Sequence, residues 1–181
     1  LNITLVADNK VYDGNTQATF NLTTNRVAGD ALTLSNDALG VFASKNAANG
    51  TAVSVGNITI AGADVGNYNL LNSTLSTTAN ITPKALNLSG LSVSNKVYDA
   101  TTTACVTSFG SLNGLVGFDD VQLNTSAALG VFSDKNVANN KNVTVSGILL
   151  NGLDANNYLV NNATMTANIT PKALTVSGLS V

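Results

Sequence analysis

The sequence predicts an all-β chain built as tandem β-sandwich units, on three observations. Charged residues make up only 10% of the 181 positions, against roughly a quarter in ordinary soluble domains. The acids are all Asp, and Asn, Thr, Ser and Gly take the place of Glu; these residues serve strands and turns and weaken helix interiors. Finally, the apolar residues, 44% of the chain with only 5% aromatic and no Trp, fall in short runs that alternate with polar ones, the period of a half-buried strand.

The chain is one unit written twice. "NKVYDG" at Asn9–Gly14 returns as "NKVYDA" at Asn95–Ala100, and "GVFASKNAANG" at Gly40–Gly50 returns as "GVFSDKNVANN" at Gly130–Asn140. "ANITPKALNLSGLSV" at Ala79–Val93 returns as "ANITPKALTVSGLSV" at Ala167–Val181. The offset grows from 86 at Lys10/Lys96 to 90 at Gly40/Gly130 and falls to 88 at Ala79/Ala167. The second copy therefore gains four residues before Gly130, which we assign to a surface loop in the Gly-rich "SFGSLNGLVGFDD". Pro83 and Pro171, the only prolines, occupy the same place in each copy. Pro lacks a backbone donor and suits the point where the chain leaves one sheet. The expected units are residues 1–85 and 86–173, followed by 174–181 as the first strand of a truncated third repeat.

Taken in order, "NVTVSGILL" at Asn142–Leu150 directs Val143 and Val145 inward and Thr144 and Ser146 outward. "ALTVSGLSV" does the same with Leu174, Val176 and Leu179, and "DVQLN", "ALGVF", "NYLV" and "TMTANI" add shorter strands. Six to eight short strands per unit, with Asn, Gly and Asp between them, predict a sandwich or barrel. Asp64 precedes Tyr68 by four residues, as Asp154 precedes Tyr158. That spacing at the entry to a late strand matches the tyrosine corner of immunoglobulin-like sandwiches, in which the hydroxyl bonds back to the nearby turn. The fold expected is thus tandem immunoglobulin-like sandwiches; a β-grasp-like unit with one short helix is the alternative.

The first repeated cluster, Lys10, Tyr12 and Asp13 with its copy Lys96, Tyr98 and Asp99, follows the first strand of each unit. We read it as a structural joint: Tyr buries a ring, Asp caps a turn. Because Gly14 becomes Ala100, the turn is expected to use ordinary backbone angles.

Catalysis is not expected. The chain has no His and no Glu, so no Ser–His–acid system forms within it, and one Cys cannot hold zinc. Cys105, which matches Thr19, reads as a small strand residue. No phosphate-binding glycine loop occurs. Calcium needs only oxygen ligands, and Asp13, Asp30 and Asp64 recur as Asp99, Asp119 and Asp154; the richest turn is "DANN" at Asp154–Asn157. Asx turns account for these acids more simply, so no cofactor is expected and Ca2+ stays a minor alternative. Many N-x-S/T triplets follow from the Asn, Ser and Thr content. A net charge of −2 with scattered cations argues against nucleic acid, and no apolar run is long enough to span a membrane. The chain opens directly in the strand-like "LNITLV" and so reads as an excerpt of something longer.

The signature "KVYDG-T", "GVF--KN", "V-G--L-G-DA-NY-L", "A-ITPKAL" resembles the YDG-type repeats of large bacterial surface proteins, including filamentous-haemagglutinin-like adhesins. The departures are Ala100 for the motif Gly, and Val65 and Gly66 in the first "DANNY" turn. The resemblance implies secretion to the bacterial surface or beyond and a repetitive β stalk, with no catalytic or binding site to carry over. The leading expectation is a non-catalytic spacer in an extracellular adhesin or fibre, with neighbouring repeats of the same or another copy as partners. The alternatives are a module binding host or matrix glycan through Tyr12, Tyr68, Tyr98 or Tyr158, and a filament subunit donating the strand that begins at Leu174. Bacterial immunoglobulin-like domains also form Lys–Asn isopeptide cross-links, and Lys10/Lys96, Lys45/Lys135 and Lys84/Lys172 recur.

Overall fold

A computed structural model describes residues 1–35 and 38–178. The protein is all-β: the described residues form strands, with two single 3₁₀ turns at Val65–Asn67 and Ala155–Asn157. The repeated "GVFASKNAANG" segment supplies strand residues at both of its ends. The chain divides into two compact units, Leu1–Lys84 and Ala85–Val181.

Unit 1 contains β1 (Ile3–Ala7), β2 (Lys10–Val11), β3 (Gln17–Ala18), β4 (Phe20–Thr24), β5 (Thr33–Leu34), β6 (Leu39–Phe42), β7 (Ala48–Gly56), β8 (Ile60–Ala61) and β9 (Leu75–Thr82). Five of them form one sheet in the order β2-β9-β7-β6-β3; β1 pairs with β4 and β5 with β8. Alternation explains the sheet. On β7, Val53 and Val55 are fully buried while Ala52 and Ser54 face out. On β9, Ala79 and Ile81 point the same way, and on β6 Phe42 joins them. Each large apolar side chain so buried stabilises by roughly 1.5–3 kcal/mol. Tyr12, Ala18, Leu32 and Ile58 are buried as well. β2 runs parallel to β9, Lys10 opposite Ile81 and Val11 opposite Thr82, so the first part of the unit and its last strand lie side by side.

Unit 2 repeats this plan with β10 (Lys84–Val93), β11 (Lys96–Val97), β12 (Thr103–Ala104), β13 (Val106–Asn113), β14 (Gln122–Asn124), β15 (Leu129–Phe132), β16 (Ala138–Ser146), β17 (Leu149–Asn151), β18 (Tyr158–Val160) and β19 (Ala163–Thr170). The five-stranded sheet runs β11-β19-β16-β15-β12, a three-stranded sheet runs β13-β10-β18, and β14 pairs with β17. Leu91, Ala104, Phe132, Val143, Val145, Ile148, Ala167 and Ile169 form its core. Pro83 is the single residue between β9 and β10, where the missing donor costs no ladder bond.

Three expectations need correction. The strands are more numerous and shorter than anticipated, because turns interrupt the apolar runs: "NVTVSGILL" breaks at Gly147, whose φ of 75° ends β16 and starts β17. The four extra residues of the second copy do not all lie in a loop. Ala7 faces Phe20 in unit 1, but in unit 2 the matching pair Val93–Val106 is followed by Ser92–Ser108, so Thr107 is a β-bulge within β13. The "ALTVSGLSV" strand is not formed at its described residues 173–178; Leu174 and Val176 are 90% and 82% exposed. Leu179 lies outside the described residues.

Candidate functional site

Each unit carries the "NKVYD" cluster as a lysine-clamped turn. The Lys10 ammonium donates to Asp13 Oδ1 at 2.8 Å, to the Asn15 carbonyl at 2.9 Å, to Asn15 Oδ1 at 3.0 Å and to the Gln17 carbonyl at 3.0 Å. Lys96 does the same with Asp99 Oδ1 at 2.8 Å, the Thr101 carbonyl at 2.8 Å, Thr101 Oγ1 at 2.9 Å and the Thr103 carbonyl at 3.0 Å. Beneath each ammonium lies a buried ring, Phe42 or Phe132, 5.5 Å to the centroid, a cation–π distance. The lysine stems are largely covered, with side-chain exposures of 16% and 15%.

The carboxylates close the same turns. Asp13 Oδ1 accepts the Asn15 N–H and Asp99 Oδ1 the Thr101 N–H, as Asx turns do. Hydrogen bonds from Lys96 and from the Thr101 N–H hold the Asp99 carboxyl down at about 2. At Asp13, burial pushes upward, but bonds from Lys10 and the Asn15 N–H outweigh it and the carboxyl stays below its ordinary value. The expectation of ordinary backbone angles is wrong: Gly14 has φ 80° and Ala100 has φ 65°. The left-handed region costs a non-glycine residue about 1–2 kcal/mol, and in unit 2 the clamp bears that cost.

An amide relay ties the turn to the sheet. Asn9 Oδ1 accepts the Asn80 N–H and Asn95 Oδ1 the Asn168 N–H, both at 2.7 Å. Asn80 and Asn168 in turn accept, at 2.8 Å, the N–H of Gly50 and of Asn140, residues of the register shifts in β7 and β16. The Tyr12 ring is buried at 1% exposure, and Lys45 sits 6.0 Å from its centroid. Tyr98 packs half-buried against the core of unit 2. Lys135, the match of Lys45, is exposed, and unit 2 instead buries Lys141 against Asp134. The Lys141 bond and the Asn136 N–H hold the Asp134 carboxyl low.

A second joint uses the Asp-to-Tyr spacing. The Tyr68 hydroxyl accepts the Val27 N–H at 2.9 Å and donates to Asp30 Oδ2 at 2.6 Å. The Tyr158 hydroxyl accepts the Val116 N–H at 2.9 Å and donates to Asp119 Oδ2 at 2.5 Å. Asp64 and Asp154 take the backbone N–H of Ala31 and Asp120. The bond to Asp30, moderated by the Val27 N–H, raises the Tyr68 phenol. The hydroxyl therefore does not return to its own turn: it latches a loop 41 residues upstream in unit 1 and 42 in unit 2. Gly152 makes the approach workable, since a Cβ there would lie 2.1 Å from the Asp120 carbonyl oxygen.

The recurring acids thus face backbone donors, lysines and tyrosines of their own turns. Among the described residues no group of three or more His, Cys, Asp or Glu is placed to hold a metal ion. The one Lys–Asn contact of the clamps, Lys10 to Asn15, holds an ammonium among oxygen acceptors, and Thr101 replaces Asn15 in the second copy. No helix among the described residues is long and apolar enough to cross a membrane. Sequence reasoning missed the rings under the lysines, the amide relay and Gly152. Their signal was present in repeated words, "GVF", "ANIT" and "G-D---Y", whose polar and small members had no assigned partners.

Comparison with curated proteins and with solved structures finds no match. The YDG domain family model matches residues 1–78 and again residues 82–167. Two successive matches, each ending on a unit with the same clamp and the same latch, place the chain in the YDG domain family.

Proposed function

We propose that the chain is a non-catalytic structural repeat of an extracellular bacterial adhesin or fibre, acting as a spacer. The observation that carries this reading is the inward use of its chemistry: in both units the recurrent Lys, Asp and Tyr groups bind the unit's own backbone. A group already holding four acceptors of its own turn is poorly placed to engage a substrate. The resemblance to YDG-type repeats of bacterial surface proteins supports secretion as part of this reading, with repeats of the same or another copy as the proposed partners. No nucleic-acid partner is proposed, since the net charge is −2 and the eight cations are scattered singly along the chain. An immunoglobulin-like sandwich is the finer fold we favour over β-grasp, on the paired sheets and the short 3₁₀ turns. Small-angle scattering of the 181-residue chain tests the spacer: an elongated particle is expected, and a compact one overturns it.

Glycan binding is the second reading, favoured by one side chain. Phe118, absent from the first copy's matching loop, is fully exposed, as a stacking platform must be. A glycan array with wild-type and Phe118→Ala protein tests it; hits lost in the variant support this reading over the spacer.

A further inference from the structure

Unit 1 holds a cleft of about 340 Å³ at β4 and β5, lined by Leu22, Thr23, Thr24, Arg26 and Leu34 among others. None of its described lining residues is acidic. Arg26 is the only arginine of the chain. Its guanidinium donates to the carbonyl of Leu32, a residue buried at 4% exposure. The connection that carries Arg26 is the one latched by Tyr68, whose hydroxyl holds the Val27 N–H and the Asp30 carboxylate. Asp64 holds the Ala31 N–H of the same connection. Arg26 is therefore placed before any ligand arrives, which lowers the cost of binding. Its one hydrogen bond among the described residues leaves most of the guanidinium N–H donors to the cleft.

Unit 2 closes the same latch without an arginine. Val27 and Val116 give their N–H to the matching tyrosines, so Leu115 stands in the place of Arg26. Leu5 faces Leu22 in unit 1 and Leu91 faces Phe109 in unit 2, so Phe109 stands in the place of Leu22. Phe109 packs against the core of its unit. The fold of the latch thus requires neither Arg26 nor the smaller Leu22, and both are where the cleft is.

We infer that this cleft binds a hexuronate residue of an acidic polysaccharide, with the sugar carboxylate on Arg26. A planar guanidinium matches a carboxylate through paired N–H donors. Thr23 and Thr24 add hydroxyls for the ring hydroxyls, and Leu22 and Leu34 meet the C–H face of the ring. A few polar groups set among apolar ones is the usual make-up of a small-molecule site, and the volume falls at the small end of such sites, as one sugar requires. Thr23 and Arg26 are exposed, so the neighbouring sugars of a chain continue into solvent. A bare inorganic anion would use the charge and leave the hydroxyls and leucines unmet. The inference rests neither on the spacer reading nor on Phe118, which belongs to the other unit.

The test titrates the 181-residue chain with D-galacturonate, its trisaccharide, D-galactose and acetate, and follows amide NMR shifts. Monomer and trisaccharide are expected to shift Thr23, Thr24 and Leu34 saturably, galactose and acetate not. Arg26→Gln keeps an amide donor for the Leu32 carbonyl and should weaken binding by at least about tenfold. Leu22→Phe, the residue unit 2 carries, should block the cleft while leaving the fold intact. Lys135→Gln, which removes an equal charge from an exposed position of unit 2, should change nothing. No saturable shift at these amides overturns the inference, as does a loss with Lys135→Gln equal to that with Arg26→Gln. Acetate or galactose bound as tightly as galacturonate overturns the hexuronate. A trisaccharide excluded while the monomer binds overturns the polymeric ligand.

Discussion

Asp99 accepts a hydrogen bond from Lys96 at 2.8 Å across a turn in which Ala100 is held at φ 65°. The ion pair is small in itself, as exposed pairs are, but it spans the one residue of the turn whose backbone is strained. Lys96 also gathers two carbonyls beyond the strained residue, so a single ammonium fixes both flanks.

The Asp99 carboxyl, at about 2, sets a pH window. Its folded value lies below the ordinary 3.8, so the unfolded chain binds the proton first as pH falls. The stabilisation is present above about 3.8 and is lost between there and about 2. Denaturant midpoints of unit 2 measured from neutral pH down to 2 should fall in that window. Asp99→Asn should flatten the fall and lower the plateau above it.

Ala100→Gly relieves the left-handed strain and should stabilise unit 2 by about 1 kcal/mol. Gly14→Ala should destabilise unit 1 by about the same amount. Chemical denaturation of the two variants against wild type checks both signs, and a neutral Ala100→Gly would show that the clamp has already relaxed the turn.

Lys96→Met keeps the apolar stem over Phe132 and removes the donor. Three oxygen acceptors and the carboxylate lose their partner, and a cost of about 1.5–3 kcal/mol is expected. Lys96→Arg should not rescue it fully, since a planar fork replaces a compact ammonium. Thermal melts of the three proteins give the comparison.

Tyr158→Phe leaves the Val116 N–H and the Asp119 carboxylate without the hydroxyl, at an expected cost of about 1–3 kcal/mol. Tyr68→Phe should cost less, because Tyr68 is half-exposed and water can replace the bond. A larger loss at Tyr68 than at Tyr158 would contradict this ordering.

Gly152→Ala places a Cβ against the Asp120 carbonyl at a φ of 118°. The loop must retreat, and a loss of at least about 2 kcal/mol is expected. Gly66→Ala, with open space around it, serves as the control and should be near neutral.

The all-β class and the doubled unit were legible because both rest on local pattern. Val143 and Val145 alternate with polar neighbours, and the long words repeat without gaps. The joints were legible as positions but not as contacts. Lys10 reads as a solvated lysine until Phe42, 32 positions later, is brought beneath it by the β6–β7 hairpin. The tyrosine spacing pointed to a local bond, yet the hydroxyl reaches Val27, because the partner is chosen by how the sheets pack rather than by chain proximity. Ala100 misled for a related reason: a residue's tolerance of a turn depends on what clamps the turn, and the clamp is made by side chains that composition cannot orient.

The parallel pairing of β2 with β9 and of β11 with β19 has a mechanical meaning. A pull on the two ends of unit 1 drags these neighbouring strands past each other lengthwise. The bonds that join them then strain together: the Lys10–Ile81 register, the Tyr12 N–H on the Thr82 carbonyl, the Thr82 hydroxyl on the Lys10 carbonyl and the Asn80 N–H on Asn9. Loaded in shear, they resist as a set, where a hairpin pulled from its open end would unzip one rung at a time. The tripartite word Asn-Lys-Val that opens the repeated cluster is thus also the grip by which each unit would resist such a pull.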